Sequence, residues 1–439
     1  MKSATTFHTY SELLNTITSP IKHYDDLNIL INNIGDAKYV LLGEASHGTH
    51  EYYTWRAKIS KRLIEEKGFS FIAVEGDWPD CYRLNRYVKN YPNAGENAQT
   101  VLQKFNRWPT WMWANWEIVA FSEWLKKHNQ SLTSSPKVGF YGLDVYSLWE
   151  SMEAIVAYLE KNDPNTLQTA IHTMQCFEPY RAKEGQSYAN ASRLVPKLCE
   201  KEVVNLLREI QRHIPTYNTD HEQVLSTAQN AVVAVNAEKY YRAMVKGGPL
   251  SWNIRDNHMV DTLDRLMTFH GKDSKAIIWE HNTHIGNAKA TSMHKDGMVN
   301  VGQLVREKHH QDGVVLVGFG SYQGSVIAGR AWGDVMRKMT MPPAVVGSWE
   351  QVLHRLYPES NILINFKNAA MEPLLQKPIG HRAIGVVYHP EYEEFGNYVP
   401  SQMGNRYDSF LFFDRSSALH PLHIEPDGHQ IPETFPFGF

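Results

Sequence analysis

The chain has 439 residues, enough for two or three average domains or for one elaborated α/β domain. Hydrophobic residues make up 42% and aromatic residues 12%, ample for a large core, while a formal net charge of −3 leaves no basic surplus for nucleic acid. No run of about 18 uncharged apolar residues occurs, and "MKSATTFHTYSELLNTITSP" lacks a charged region leading into an apolar one, so a cytoplasmic protein without a membrane or nucleic-acid partner is expected.

In chain order, "KYVLLG", "FSFIAVEG", "KVGFYGLD", "KAIIWEH", "GVVLVGFG", "NILINF", "AIGVVYH" and "SFLFF" read as short buried strands. Between the first two lies "HEYYTWRAKISKRLIEEKG", where Tyr52, Trp55, Ile59 and Leu63 keep helical spacing and Gly68 suits a C-terminal cap. Such a strand-helix-strand unit predicts a right-handed crossover to a parallel neighbour, with both carboxyl ends at one sheet edge. In "RWPTWMWANWEIVAFSEWL", Trp113, Trp116, Ala120 and Trp124 predict the packed face of a helix, while Trp108 and Trp111 precede it. With Trp78 of "GDWPD", these two are read either as core or as the wall of a cleft for a large apolar ligand.

From Leu148 to Phe269 the periodicity is helical throughout. The predicted fold is α/β, a mostly parallel central sheet flanked by helices, with a large helical insertion. Residues 1–147 and 271–415 would form the α/β core, 148–270 the insertion, and 416–439 a C-terminal tail lying extended on the surface or partly disordered. Cys81, Cys176 and Cys199 form no CxxC pair and are odd in number, so they are read as buried apolar residues without a disulfide or zinc site.

Strand ends carry the polar residues. "VLLGEASH" supplies Glu44 and His47, "FIAVEGDW" supplies Glu75 and Asp77, "AIIWEHNTH" supplies Glu280, His281 and His284, and "VGFYGLD" delivers Asp144. In open α/β sheets ligands bind outside the strands' carboxyl ends, and like charges gather there only where chemistry or a metal needs them. Ser46 and Ser321 lie in no GxSxG elbow, and "GFGSYQG" reads as a tight turn rather than a dinucleotide fingerprint. Two routes remain. Either a histidine acts as general base on water, with Glu44, three residues before His47, fixing its tautomer and Arg56, His281 or His284 stabilising the oxyanion; or histidines and carboxylates hold a zinc or manganese ion. His50 and Glu51 read as helix-start residues, and Arg255 and His258 of "SWNIRDNHM" as a polar patch that is solvated, capping or functional.

Taken together, "LLGEASHGTHEYYTWRAKISKRLIEEKGFSFIAVEGDWPD", "RWPTWMWANWE", "YGLDVYSL", "NIRDNHM", "WEHNTHIGN" and "VGFGSYQGSVIAG", in that order, resemble the erythromycin esterase family, including its succinoglycan-biosynthesis-related hydrolases, over about residues 20–415. The resemblance implies an α/β fold with a helical insertion and hydrolysis of the lactone ester of macrolide antibiotics, hence antibiotic resistance. It implies His47 as the base, Glu44 as its orienting group, and Glu75, Arg56, His281 and His284 at the remaining catalytic positions, without metal. Trp78, Trp108, Trp111 and Asp144 are the expected substrate-binding residues. No cofactor is expected, a divalent metal being the alternative, and the expected partner is a small-molecule substrate; the sequence leaves oligomeric state open. Two other readings stand beside this one: a metal-dependent hydrolase of another bulky ester or amide at the same site, and a non-catalytic binder of a large apolar ligand such as a macrolide or haem.

Overall fold

The computed structural model describes residues 2–133, 136–181, 185–194, 198–217 and 220–423, with side chains from Tyr10 onward. The last part of the expected tail, residues 424–439, lies outside the described residues. The chain divides into two compact units, one of residues 1–73, 86–139 and 270–439, the other of 74–85 and 140–269.

The described residues form eleven strands: β1 (Thr18–Pro20), β2 (Tyr39–Leu42), β3 (Phe71–Asp77), β4 (Gly139–Asp144), β5 (Ala276–Trp279), β6 (Val314–Ala328), β7 (Arg337–Met341), β8 (Asn361–Asn365), β9 (Ile379–Arg382), β10 (Tyr398–Ser401) and β11 (Ser409–Ser416). The mixed, mostly parallel sheet runs β1-β8-β11-β6-β2-β5-β3-β4, with β7 against β6; β9 and β10 pair separately. β3 and β4 begin in the first unit and continue along the chain into the second. At the sheet centre β2 runs parallel to both β5 and β6, with Leu42 opposite Trp279 and Val317. The Val, Ile and Leu side chains of β2 and β5 are fully buried, as a strand covered on both faces requires. β5 stands between β2 and β3, so the strand-helix-strand unit does not join sheet neighbours, contrary to the simplest expectation.

The first helix after β2, His50–Lys67, ends on Gly68 in the left-handed conformation. Its inward residues, among them Tyr52, Ile59 and Leu63, are buried. The helix Trp116–Ser131 starts three residues later than the tryptophan spacing suggests, because the Asn115 side chain accepts the Ile118 N–H and caps it there; Trp113 therefore lies outside the helix, though buried.

Two strand expectations are corrected. "GFGSYQG" is no turn: β6 continues through it to Ala328. Gly324 serves a close approach instead, since a Cβ there would lie 1.9 Å from the Ser416 carbonyl oxygen of the adjoining β11. "AIGVVYH" makes only isolated bridges, Ile384 with Ser46 and Val387 with Gly329, so it has no continuous strand partner; Ile384 and Tyr388 are buried, while Val386 and Val387 are only partly so.

In the second unit the helices Leu148–Asn162, Pro164–Phe177, Glu200–His213 and His221–Met244 pack a core that includes Leu148, Met152, Phe177, Leu206, Ile210 and Tyr241. Asp163 accepts the Thr166 N–H and Pro164 takes the first helical position, so the second of these helices starts sharply. Cys176 and Cys199 are disulfide-bonded, which overturns the reading of both as unpaired residues; Cys81 alone is free, and buried. The packing of Pro164–Phe177 beside Glu200–His213 brings the two sulfurs together, and no short spacing motif signals it. Among the described residues no helix is long and apolar enough to cross a membrane.

The cross-link joins residues separated by 23 positions. Its loss through Cys199→Ser is expected to cost about 2–4 kcal/mol, seen as a lower urea midpoint for the helical signal of the oxidised protein. An unchanged midpoint would show that the bond carries no stability.

Candidate active site

Beyond Leu42 the chain leaves β2 and forms a loop, Gly43–Thr49, held by its backbone. Ile384 N–H donates to Ala45 O at 2.8 Å, and both Ile327 and Leu419 N–H donate to Gly48 O at 3.0 Å. A Cβ on Gly48 would lie 2.0 Å from the Ile327 carbonyl oxygen, so only glycine seats this loop against β6. Ser46 is buried and its hydroxyl is paired with Thr49 Oγ1, which leaves it without the setting of a nucleophile.

Glu44 is 1% exposed, and both its oxygens are used. Oε1 faces His47 Nδ1 at 2.8 Å, and Oε2 accepts from Arg56 Nη2 at 2.7 Å. Arg56 comes from the second turn of His50–Lys67, fully buried, with its guanidinium over the rings of Tyr53 at 4.3 Å and Trp279 at 5.0 Å. A buried carboxylate needs such a partner to remain ionised. Because a carboxylate only accepts, the neutral His47 ring carries its proton on Nδ1, and Nε2 is then its acceptor nitrogen.

The segment after β5 adds the second histidine. Asn282 N–H donates to Glu44 O at 2.8 Å, which ties the start of the short helix Asn282–Ile285 to the Glu44 loop. The His281 ring lies 4.9 Å from that of His47, centroid to centroid. Its Nδ1 accepts the Thr283 backbone N–H at 3.3 Å and stands 2.8 Å from Thr283 Oγ1. A nitrogen that accepts an N–H is unprotonated, so the neutral ring presents Nε2–H as a donor. Glu280 and His284 are buried in the same segment, and His284 N–H donates to His281 O at 2.9 Å.

Two further expected residues, Glu75 and Asp144, meet in the second unit on Arg255. Arg255 Nη2 donates to Glu75 Oε1 at 2.7 Å and to Asp144 Oδ2 at 2.6 Å, while Nε donates to Asp144 Oδ1 at 2.9 Å. Burial alone would raise the Asp144 pKa, but the charge and hydrogen bonds of Arg255 outweigh it and hold the carboxyl below its usual value. Arg255 is thus the centre of a buried ion-pair cluster, a role that its sequence reading left open; the 111 and 180 positions separating it from its partners conceal it. Asp77 is buried nearby in sequence, at the end of β3. Trp78 is also buried in this unit, stacked on Tyr82 and Tyr141, its indole N–H on Ser226 Oγ at 3.1 Å.

Of the other expected wall residues, Trp111 is fully buried, whereas Trp108 is half-buried, 5.5 Å from Trp111 and 4.7 Å from the exposed Trp332 between ring centroids. A Cβ on Gly329, two residues beyond Ile327, would lie 3.3 Å from Trp108 Cζ2, so the Trp108 ring packs beside the chain just past the β6 end that seats the His47 loop. Trp332 had no signal in the sequence beyond its residue type. Among the described residues, His50, Glu117 and His420 form one group that brings three metal-ligating atoms within 4.8 Å of one another.

The family model for erythromycin esterase matches residues 64–416. An Escherichia coli protein named erythromycin esterase type II is 23% identical over 334 residues, 71% of this chain and 75% of that protein. Two solved structures share the fold: a succinoglycan biosynthesis protein, at 19% identity with a TM-score of 0.75, covering 94% of this chain and 98% of that one; and an erythromycin esterase mutant in its open conformation, at 15% identity with a TM-score of 0.66, covering 91% and 95%.

His258, three residues beyond Arg255, gives the second unit a measurable pH response. Burial holds its pKa down at about 4, with Nδ1 2.9 Å from Asn236 Nδ2. A histidine whose folded pKa lies below its unfolded value binds more protons when unfolded, so its share of stability is complete above about pH 6.5 and is lost as pH falls towards 4, up to about 3 kcal/mol. Stability measured by urea at several pH values should fall across that window in the wild type and stay flatter in His258→Asn. Equal slopes would refute the assignment.

Proposed function

The chain belongs to the erythromycin esterase family and is a hydrolase of that family, and we propose that it opens the lactone ester of a macrolide antibiotic by attack of a water molecule that His47 activates. The observation that carries this reading is the buried Glu44–His47 pair at 2.8 Å with the His281 ring 4.9 Å away. Water gives a proton to His47 Nε2 as its oxygen attacks the ester carbon. The imidazolium that forms is stabilised by the Glu44 carboxylate, as in other carboxylate-oriented histidine bases. His281 Nε2–H donates to the carbonyl oxygen as it gains charge. Collapse of the tetrahedral species breaks the carbon–oxygen bond, and the ring alkoxide takes the proton back from His47, so the product is the substrate plus one water. The sequence of steps requires no cofactor.

Arg56 acts on Glu44, meeting its second oxygen within a fully buried pair and fixing where the carboxylate sits. The half-buried Trp108 and exposed Trp332 offer an apolar platform suited to a macrocycle. The macrolide itself is proposed from the likeness to erythromycin esterase type II and from that platform. Glu75 and Asp144 act in this reading through the Arg255 cluster that they build.

Incubation with erythromycin, followed by mass spectrometry, is expected to show a product heavier by one water. His47→Ala should slow the reaction by about 10²- to 10⁴-fold, the usual contribution of a general base. His281→Asn should slow it by about 10²- to 10³-fold with little change in KM, as for a lost oxyanion donor. Turnover of other bulky esters but of no macrolide would overturn the substrate assignment, and full activity in His47→Ala would overturn the mechanism.

A further inference from the structure

His50, Glu117 and His420 take no part in the chemistry above, yet three distant segments of the first unit bring them together. His50 is the first residue of the helix His50–Lys67, Glu117 the second of Trp116–Ser131, and His420 lies beyond β11. His50 Nδ1 is 2.6 Å and His420 Nδ1 2.7 Å from the same atom, Glu117 Oε1. The two imidazole rings stand 5.4 Å apart with planes at 88°, so both address one carboxylate oxygen from crossed directions. We propose that His50, Glu117 and His420 bind a single divalent cation of the zinc class.

The backbone prepares this arrangement. The segment after β11 makes bridges with both helix starts, Ala418 with Thr49 and Pro421 with Asn115. His50 N–H donates to Ser417 O at 2.8 Å, Trp116 N–H to His420 O at 3.0 Å, and Leu422 N–H to Ala114 O at 2.9 Å. Glu51 holds the same segment through Ser417, its two carboxylate oxygens accepting from the backbone N–H and the hydroxyl, each at 2.8 Å. Each ligand-bearing residue therefore sits on or beside a hydrogen-bonded pair, and little ordering remains to be done when an ion arrives.

The donor set has the right chemistry. Two imidazole nitrogens and one carboxylate match the three-ligand zinc sites that keep a fourth position for water. The Glu117 side chain is 1% exposed, and among the described residues its charged partners are the two imidazoles. A divalent ion in their midst would compensate the buried carboxylate in place of protons on the rings. Tetrahedral bonds of about 2.0–2.1 Å set ligand atoms about 3.3 Å apart, so the two imidazole–carboxylate spacings of 2.6 and 2.7 Å need to open by well under 1 Å. Side-chain rotation of His420 supplies that movement, because its side chain is 39% exposed, and the same exposure admits water to the open position. An ion here would clamp the end of the sheet to the helix that begins three residues after His47.

The test uses the full chain, freed of metal with chelator and dialysed. Zn²⁺ titrated by calorimetry is expected to bind one equivalent and to raise Tm, and Co²⁺ in its place should give visible absorption bands of a low-coordinate site. His420→Ala removes a partly exposed ligand and is expected to keep the fold, checked by circular dichroism, while weakening binding about 100-fold or more, since even groups behind the ligands are worth about 10- to 100-fold. Glu117→Gln, nearly isosteric, should weaken it likewise. Absence of stoichiometric binding by the wild type overturns the proposal, as does equal affinity in His420→Ala.

Discussion

A carboxylate removed from water must have both oxygens satisfied and its charge matched, and Glu44 imposes that demand at the end of the central strand. One oxygen is met by His47 and the other by Arg56, so the position of the loop, the first turns of the helix His50–Lys67 and the tautomer of the histidine are set together. The backbone carbonyl of Glu44 extends the constraint by accepting from Asn282, which places the His281 segment beside it. A single residue thus connects strand β2, the helix that follows and the end of strand β5. Arg56, clamped between aromatic rings, has the rigid planar geometry that a lysine would lack.

The same physics recurs within the second unit with the signs reversed. There a largely buried cation, Arg255, its side chain 12% exposed, requires anions, and Glu75 and Asp144 meet it through three short hydrogen bonds. The cluster fixes the ends of β3 and β4 to the helix Leu250–His270, whose sequence would otherwise read as an ordinary amphipathic stretch. Burial and pairing act in opposite directions on Asp144, and pairing wins. His258, three residues beyond Arg255, also feels Asp144, but there burial wins: its pKa is held down and its charged form disfavoured.

How much was legible follows from how far apart the interacting residues are. The Glu44–His47 contact spans three positions and shows as a motif, and the helix from His50 to its Gly68 cap is written in local spacing. The apolar runs marked β2 and β5 correctly, because strands buried on both faces need continuous hydrophobicity. Strand β6 was cut short, since its glycines resemble a turn signal while serving close packing against β11. "AIGVVYH" misled for the opposite reason: its composition is that of a strand, but its neighbours offer it single bridges. The Cys176–Cys199 pair and the partners of Arg255 lie across helix packing, which no local pattern encodes.

By itself, then, the sequence determined the fold class, the family and the short-range contact of Glu44 with His47, because periodicity, turn chemistry and short-range contacts are local properties of a chain. Tertiary structure alone decided which charges meet. It gave Arg56 to Glu44, Arg255 to Glu75 and Asp144, and Glu117 to two histidines, one of them 303 positions away. A buried charge accepts whichever counter-charge the packing brings within reach, and that choice depends on the whole folded chain rather than on any stretch of it.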